Sequence, residues 1–362
     1  YHSTQDHAKV RLAYDITPTV RASYTLGWWR NESQGRSTTY LSDASGTPVY
    51  SGAVNVAGRT YTLLPSDFPS SNESLTHAMH GLSIKSHTHG VFDWEIAASR
   101  YDYLRDILRA PTTALPGAAI GGAGRIVDGH GTGWDTLALK LTWRPRESHV
   151  VDAGLQRDSY RWRSVENATV DWISGDPGAV NQSFRGDTRL TSAYAQDTWH
   201  FAQRWKAMLG ARLEHWEAFD GQTANASTAV NFARRSQSFA SPKAALAYQV
   251  TELWVLKGSL GRAVRMPTVS ELFQGGIAAN GTLVNNDPNL KPERSWTSEL
   301  SAERETDKNL WRITAFFERT RDALYSQTNV TVTPNVTNIQ NVDAIRTHGI
   351  ETAWRGSDVF VQ

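Results

Sequence analysis

"GRAVRMPTVSELFQGG" (Gly261–Gly276) is followed, after a short gap, by "NNDPNLKPERSWTSEL" (Asn285–Leu300). Pro267 and Pro292 bracket a stretch rich in Gly and Asn. Proline has no N–H to give to a ladder, so a strand leaves its sheet at Pro267 and pairing restarts after Pro292. Arg262 and Arg265 then sit where the first strand ends, and Glu293 is placed to cap or pair with a strand-end Arg. The spacing predicts a loop over Arg265 to Asn289 between consecutive antiparallel strands, with no helix between the prolines. An enzyme loop, a ligand clamp and a structural corner all fit such a segment, so its meaning depends on what flanks it.

The flanks are strands. "TVRASYTLGWWR" (Thr19–Arg30) places Val20, Ala22, Tyr24, Leu26 and Trp28 on one face and Arg21, Ser23 and Thr25 on the other. "GWDTLALKLTWRP" (Gly133–Pro145) sets Leu137, Leu139, Leu141 and Trp143 against Thr136, Lys140 and Thr142. Such period-two alternation argues half-buried strands rather than helices. It recurs along the chain to give about fourteen strands, the last beginning near "GSDVFVQ". Short joints near 15–19, 85–90, 144–148, 202–205, 249–253 and 305–309 take turns with long ones near 31–72, 104–133, 164–186, 220–236, 264–293 and 322–345. A soluble sandwich spreads its loop lengths over both ends, whereas strict short–long alternation marks an antiparallel transmembrane β-barrel. This all-β reading places the opening stretch on the long-loop side. It also suits a chain with 14 Trp and 12 Tyr but a polar average composition. Tyr1 follows no leader, and the chain stops as a strand begins, so it reads as a piece of a longer protein.

Charge and cysteine count exclude other classes. With 37 basic and 36 acidic residues there is no electrostatic case for nucleic acid. With no cysteine there is neither a disulfide framework nor a thiolate metal site. Gly-X-Ser-X-Gly and His-Glu-X-X-His do not occur, and "GHGTG" (Gly129–Gly133) lacks phosphate-loop spacing. No acid–base constellation argues for an enzyme, and no cofactor is implied. His77, His80, His87 and His89 fall within thirteen residues, but His87 and His89 fall in a turn. His77 and His80, three apart on a strand, face opposite sides of it, so no metal site is expected.

Three ordered motifs carry a resemblance. "RAVRMPTVSELFQGG" with "NDPNLKPERSWTSELSAE" resembles the signature of TonB-dependent outer-membrane receptors. "TSAYAQDTWHFAQRWKAMLGARLEHW" (Thr191–Trp216) is similar to a hairpin of that family, and "RTHGIETAW" (Arg346–Trp354) to its Arg-X-X-Gly-Ile/Val-Glu strand. They cover about 187–355. The first half resembles the family only in pattern and loop lengths.

The resemblance implies that residues 1–362 are part of a barrel of about 22 strands, with an N-terminal plug and the C-terminal strands missing. It implies a receptor in the outer membrane of a Gram-negative bacterium, energised by the TonB complex pulling on the plug. Its surroundings would be outer-membrane lipid and lipopolysaccharide. The cargo would be a small-molecule metal chelate, with a ferric siderophore the family default. A passive porin-like channel, or a receptor for cobalamin, haem or carbohydrate, stands as the alternative. The family's haem receptors carry a His between the two halves of the opening motif, and none lies between Val264 and Leu290. Three Met residues suit a copper specialist poorly. Ligand contact is expected at the loop residues Arg265, Gln274, Asn280, Asn285, Asn286, Asp287 and Asn289. A structural role is expected for Arg262, Pro267, Glu271, Leu272, Pro288, Leu290, Pro292 and Glu293.

Overall fold

A computed structural model describes residues 1–277, 283–284, 286–331 and 336–356. Thirteen long strands follow one another: β1 (His2–Thr17), β2 (Val20–Arg36), β3 (Ser70–Ser86), β4 (Phe92–Pro111), β5 (Gly133–Arg146), β6 (His149–Thr169), β7 (Val180–Ala202), β8 (Trp205–Asn225), β9 (Arg235–Gln249), β10 (Trp254–Arg265), β11 (Glu293–Glu305), β12 (Asn309–Asn329) and β13 (Val336–Gly356). Each pairs antiparallel with its chain neighbours in one sheet, and a short strand, Gly124–Asp128, continues β5 above a break in the ladder. The expected fourteenth strand falls on 357–362, outside the described residues.

The joints alternate as the pattern predicts. Two to five residues join β1 to β2, β3 to β4, β5 to β6, β7 to β8, β9 to β10 and β11 to β12, and the remaining joints are longer. The long segments are, however, less loop than expected. Strand β6 runs to Thr169 and β7 starts at Val180, inside the predicted loop 164–186; β12 and β13 fill most of 322–345. Above the lipid both faces of a hairpin meet water, so the apolar–polar alternation fades while the ladder bonds persist. A strand without alternation is read from sequence as loop.

The two faces differ in the expected way. Leu137, Leu141, Leu155, Leu209, Leu213, Leu260, Leu300 and Phe317 are exposed on one face, forming the apolar band a lipid-facing wall requires. At the short-turn end the band closes with a row of aromatics on neighbouring strands. Phe92 stacks on Trp143 at 6.1 Å, Trp205 lies 4.4 Å from Tyr248, and Trp311 lies 6.2 Å from Trp354. Aromatic girdles, chiefly of Trp and Tyr, mark a membrane–water interface. The opposite face is polar and ion-paired. Lys140 meets Asp152 at 3.3 Å, Arg212 meets Glu214 at 3.3 Å, and Glu303 accepts from Lys257 at 3.0 Å and Arg312 at 2.9 Å. Ion pairs of this kind belong on a wall that meets water and protein rather than hydrocarbon.

Leu139 faces lipid, paired with Ile96 and Leu155, while Ala138 beside it faces the lumen with Gln156. Leu139→Arg should cost about 2–4 kcal/mol and Ala138→Arg little. Unfolding midpoints in lipid vesicles test this, and equal costs on the two faces would overturn the assignment of a lipid face and a lumen face.

Candidate functional site

The opening motif builds a clamp rather than a free loop. After Arg265 the chain turns at Pro267 and forms one helical turn, α1 (Val269–Phe273). A helix here corrects the expectation of an uninterrupted loop. It forms because Thr268 and Glu271 make a capping box. The Thr268 N–H donates to Glu271 Oε2 at 2.7 Å, and the Glu271 N–H donates back to the Thr268 hydroxyl at 3.3 Å. Arg265 holds the same carboxylate at 2.6 Å and reaches Glu293 at 3.9 Å. Burial pushes the Glu271 carboxyl up, but Arg265 and the Thr268 donors outweigh it and hold it below its ordinary value. A carboxyl lowered on folding adds stability above its unfolded value, so the clamp loosens as pH falls through the folded one.

Val269, Leu272 and Phe273 lie on one side of α1 and are buried, the spacing a short amphipathic turn needs. They pack with Leu290 on Trp216 and Ala218 of β8. Trp216 and Ala218 alternate with the lipid-facing Leu209 and Leu213, so the clamp lies on the lumenal wall. The Phe273 ring occupies a notch at Gly186 and Gly221. A Cβ at either glycine would stand 2.2 or 2.4 Å from ring carbons. Buried Thr223 donates to the Phe273 carbonyl at 2.7 Å.

The second half of the motif is tied as firmly. Arg235 donates to the Pro288 carbonyl and, at 2.9 Å, to that of Leu290. Asn341 of β13 bonds both polar groups of the Lys291 backbone, at 2.8 and 2.9 Å. Strand β11 restarts at Glu293, directly after Pro292. Among the residues expected to touch ligand, Asn286 donates to the Leu272 carbonyl at 2.9 Å and Asp287 accepts the Asn289 N–H at 2.8 Å. Arg265 is engaged by Glu271, Gln274 and Asn289 are exposed, and Asn280 and Asn285 lie outside the described residues.

Beside the clamp the lumenal wall carries an aromatic row that the alternation pattern did not single out. His77 of β3 stacks on Tyr103 at 4.0 Å and lies 5.2 Å from Trp29 of β2. Tyr101 stacks face to face on Trp134 of β5 at 4.3 Å, and Trp134 continues to Tyr160 of β6 at 6.2 Å. The row ends in a cavity of about 510 Å³ between Trp134, Tyr160, Leu190, Trp216 and the start of α1. His77 and His80 do face opposite sides: His80 meets Tyr24 on the outer face, and His77 is buried inside. Both His77 ring nitrogens are engaged, by the Tyr101 hydroxyl at 3.0 Å and the Asp106 carboxylate at 3.1 Å. It therefore stiffens the row and presents no free lone pair to a metal. Among the described residues no three His, Cys, Asp or Glu side chains come together as metal ligands.

Neighbouring long loops close over this side. Trp172 is fully buried, donates to the Ala118 carbonyl at 2.9 Å and lies under the Arg36 guanidinium at 4.5 Å. The Ser174 hydroxyl, with the backbone N–H groups of Ile173, Ser174 and Gly122, holds the neighbouring Asp171 carboxyl below its ordinary value. The loop thus keeps a fixed charge at the rim.

Phe273→Ala should cost about 3–5 kcal/mol, and Gly221→Ala should unseat the same ring. Because both act on one contact, the double variant should be clearly more stable than the sum of the two losses implies. Denaturant unfolding of the full-length protein, followed by Trp fluorescence, measures this; strict additivity would separate the ring from the notch.

Comparison with known proteins agrees with the wall and its motif. Residues 9–361 match the family described as TonB dependent receptor-like, beta-barrel. The iron-regulated outer membrane virulence protein of Vibrio cholerae serotype O1 is 25% identical over 194 residues, covering 52% of this chain and 26% of that protein. The copper transporter OprC superposes with a TM-score of 0.66 at 15% identity, over 98% of this chain and 51% of its own. The ferric yersiniabactin uptake receptor FyuA from Yersinia pestis superposes with a TM-score of 0.63 at 14% identity, over 99% and 50%. This chain therefore spans about a quarter of the curated relative and half of these structures, and at such identities the structural likeness carries the fold alone. With its lipid-facing band, its polar lumen and its clamp, the chain belongs to the TonB-dependent receptor family and is part of an outer-membrane β-barrel.

Proposed function

We propose that the whole protein is a receptor that takes up a scarce metal chelate, a ferric siderophore, with the TonB complex acting on an N-terminal plug. The observation that carries this is the lumenal aromatic row from Trp29 to Tyr160, which opens into the cavity beside α1. Flat rings at stacking distance favour a flat or catechol-bearing ligand. The lower lumen, lined by Lys140–Asp152 and Lys257–Glu303, offers the polar wall against which a plug can pack. The exposed loop residues Gln274 and Asn289 would meet the ligand from above. Iron is favoured over copper by the iron-regulated relative and by the low methionine count. Haem is disfavoured because both nitrogens of the one lumenal histidine in the row are already bonded.

The full-length gene, expressed in an iron-starved Gram-negative host lacking its own siderophore receptors, should restore growth on at least one ferric siderophore, and only when TonB is present. Growth independent of TonB would instead make the protein a passive channel. Removing one stacked ring, by Tyr101→Ala or Trp134→Ala, should weaken binding of that siderophore about tenfold, with the barrel still inserted. Unchanged affinity in both variants would move recognition to the loops.

A further inference from the structure

The wall is interrupted between β9 and β10. Strand β9 is paired with β8 from Arg235 to Tyr248, and β10 is paired with β11 as far as Arg265. Between β9 and β10, however, the ladder runs only from Lys243–Gly261 down to Gln249–Val255. Continued at that register, Phe239, Ala240, Ser241 and Pro242 would face Arg265, Val264, Ala263 and Arg262. Among the described residues no backbone hydrogen bond crosses these positions. Pro242 has no N–H to give to the next rung. Above the break the Arg235 guanidinium binds the Pro288 and Leu290 carbonyls. The break is therefore a window, closed above by the clamp and below by the Lys243–Gly261 pair.

Its height places it within the membrane. Trp205 and Tyr248 mark the short-turn interface. From Tyr248 along β9, Lys243 is roughly 17 Å away and Phe239 roughly 31 Å, or about 13 and 24 Å along the membrane normal at the usual strand tilt. The window thus spans the outer half of an apolar band about 25 Å tall. Unpaired backbone at that depth is tolerated only against protein or a water-filled space. Such a space lies behind it: a cavity of about 550 Å³ lined by Tyr194, Arg212 and Lys243 and by the unpaired Ser241, Arg262 and Ala263. Glu214 lines this cavity, and Trp216, the next inward residue of β8, lines the cavity beside α1. The two spaces adjoin. On the outer lip Ala240 and Pro242 are exposed and small. At the lower lip the Nε of Arg262 is buried without a hydrogen-bond acceptor.

Hydrocarbon alone cannot fill this window, because it would leave the polar strand edges unpaired. A wholly water-soluble chelate gains nothing from an opening toward lipid. An amphiphile suits both surroundings. We propose that the window is a side port for the cargo and that the cargo is an acylated chelate. The iron-binding head lies in the lumen. The amide linker takes the free backbone groups and the Arg262 Nε–H, and the alkyl chain lies outside in the outer leaflet. This rests on the uptake reading above and narrows its substrate class.

The test uses the full-length receptor in lipid nanodiscs. The probe is the ferric complex of one tris-hydroxamate peptide carrying either an N-terminal acetyl or a dodecanoyl group. Retained radioactive iron is measured after subtracting that held by empty nanodiscs. The dodecanoyl form should be retained roughly tenfold better than the acetyl form. Ala240→Trp, which fills the outer lip, should remove that advantage and leave the acetyl form unaffected. Ala244→Trp, on the same face below the break, should preserve it, with heat-modifiable migration confirming that each variant is folded. Equal retention of the two forms by the intact protein, including retention of neither, would overturn the port. So would an undiminished advantage in Ala240→Trp, or the same loss in Ala244→Trp. A receptor that restores growth on a siderophore yet gives any of these results keeps the uptake reading and loses the port. Absence of growth on every siderophore would remove the uptake reading itself.

Discussion

Hydrocarbon offers a peptide N–H nothing to bond to, and each group left unpaired there costs several kcal/mol. That constraint organises the whole wall. Every strand from β2 to β12 is hydrogen-bonded on both sides, so side chains alone decide what each face meets. The outward face takes leucines and aromatics, and the inward face can be polar because water and other protein fill the lumen. A proline interrupts such a ladder: Pro267 and Pro292 stand at the rim, and within β9 the pairing with β10 stops at Lys243, next to Pro242.

The lumen holds two different chemistries at two heights. Near the short turns it is a lattice of ion pairs around Asp152, Glu214 and Glu303. Near the long loops it is aromatic, and the clamp adds an apolar cluster around Trp216 and Phe273. A charged lower wall can slide past a polar partner without exposing apolar surface. An aromatic upper wall has flat, stiff faces that lose little conformational freedom when another surface stacks on them.

Strands and joints were legible because lipid on one side and water on the other imprint alternation, and tight turns interrupt it at "RPRES" and "ETDKN". Where both faces meet water, as at the ends of β6, β12 and β13, that imprint is lost and the strands were read as loop. Helix α1 left a readable trace. Thr268 and Glu271 stand three apart, with Val269, Leu272 and Phe273 on one side, but a single turn between two prolines is too short to show a helical period. The aromatic row was not readable. Alternation puts Tyr101 and Tyr103 on one face, yet stacking on Trp134 and His77 depends on cross-strand register. A ladder shift between Thr76 and His77 sets the register that brings His77 opposite Tyr103, and nothing in either segment announces it. Ligand identity is still further from view, since it depends on loops whose composition is merely polar.

Pairing only between chain neighbours has a consequence for how such a wall diversifies. Each hairpin closes its own ring of backbone, and no distant segment has to arrive first. The entropy of closing a loop grows only logarithmically, about 0.6 kcal/mol for each doubling of its length. A long joint such as the one between β2 and β3 can therefore double in length at a cost smaller than the loss of one buried methylene. Lengthening it leaves the register of every other hairpin untouched. The wall thus behaves as a frame with interchangeable fittings: the energy that holds it is stored between strands, and the segments that meet the outside world are nearly free to vary.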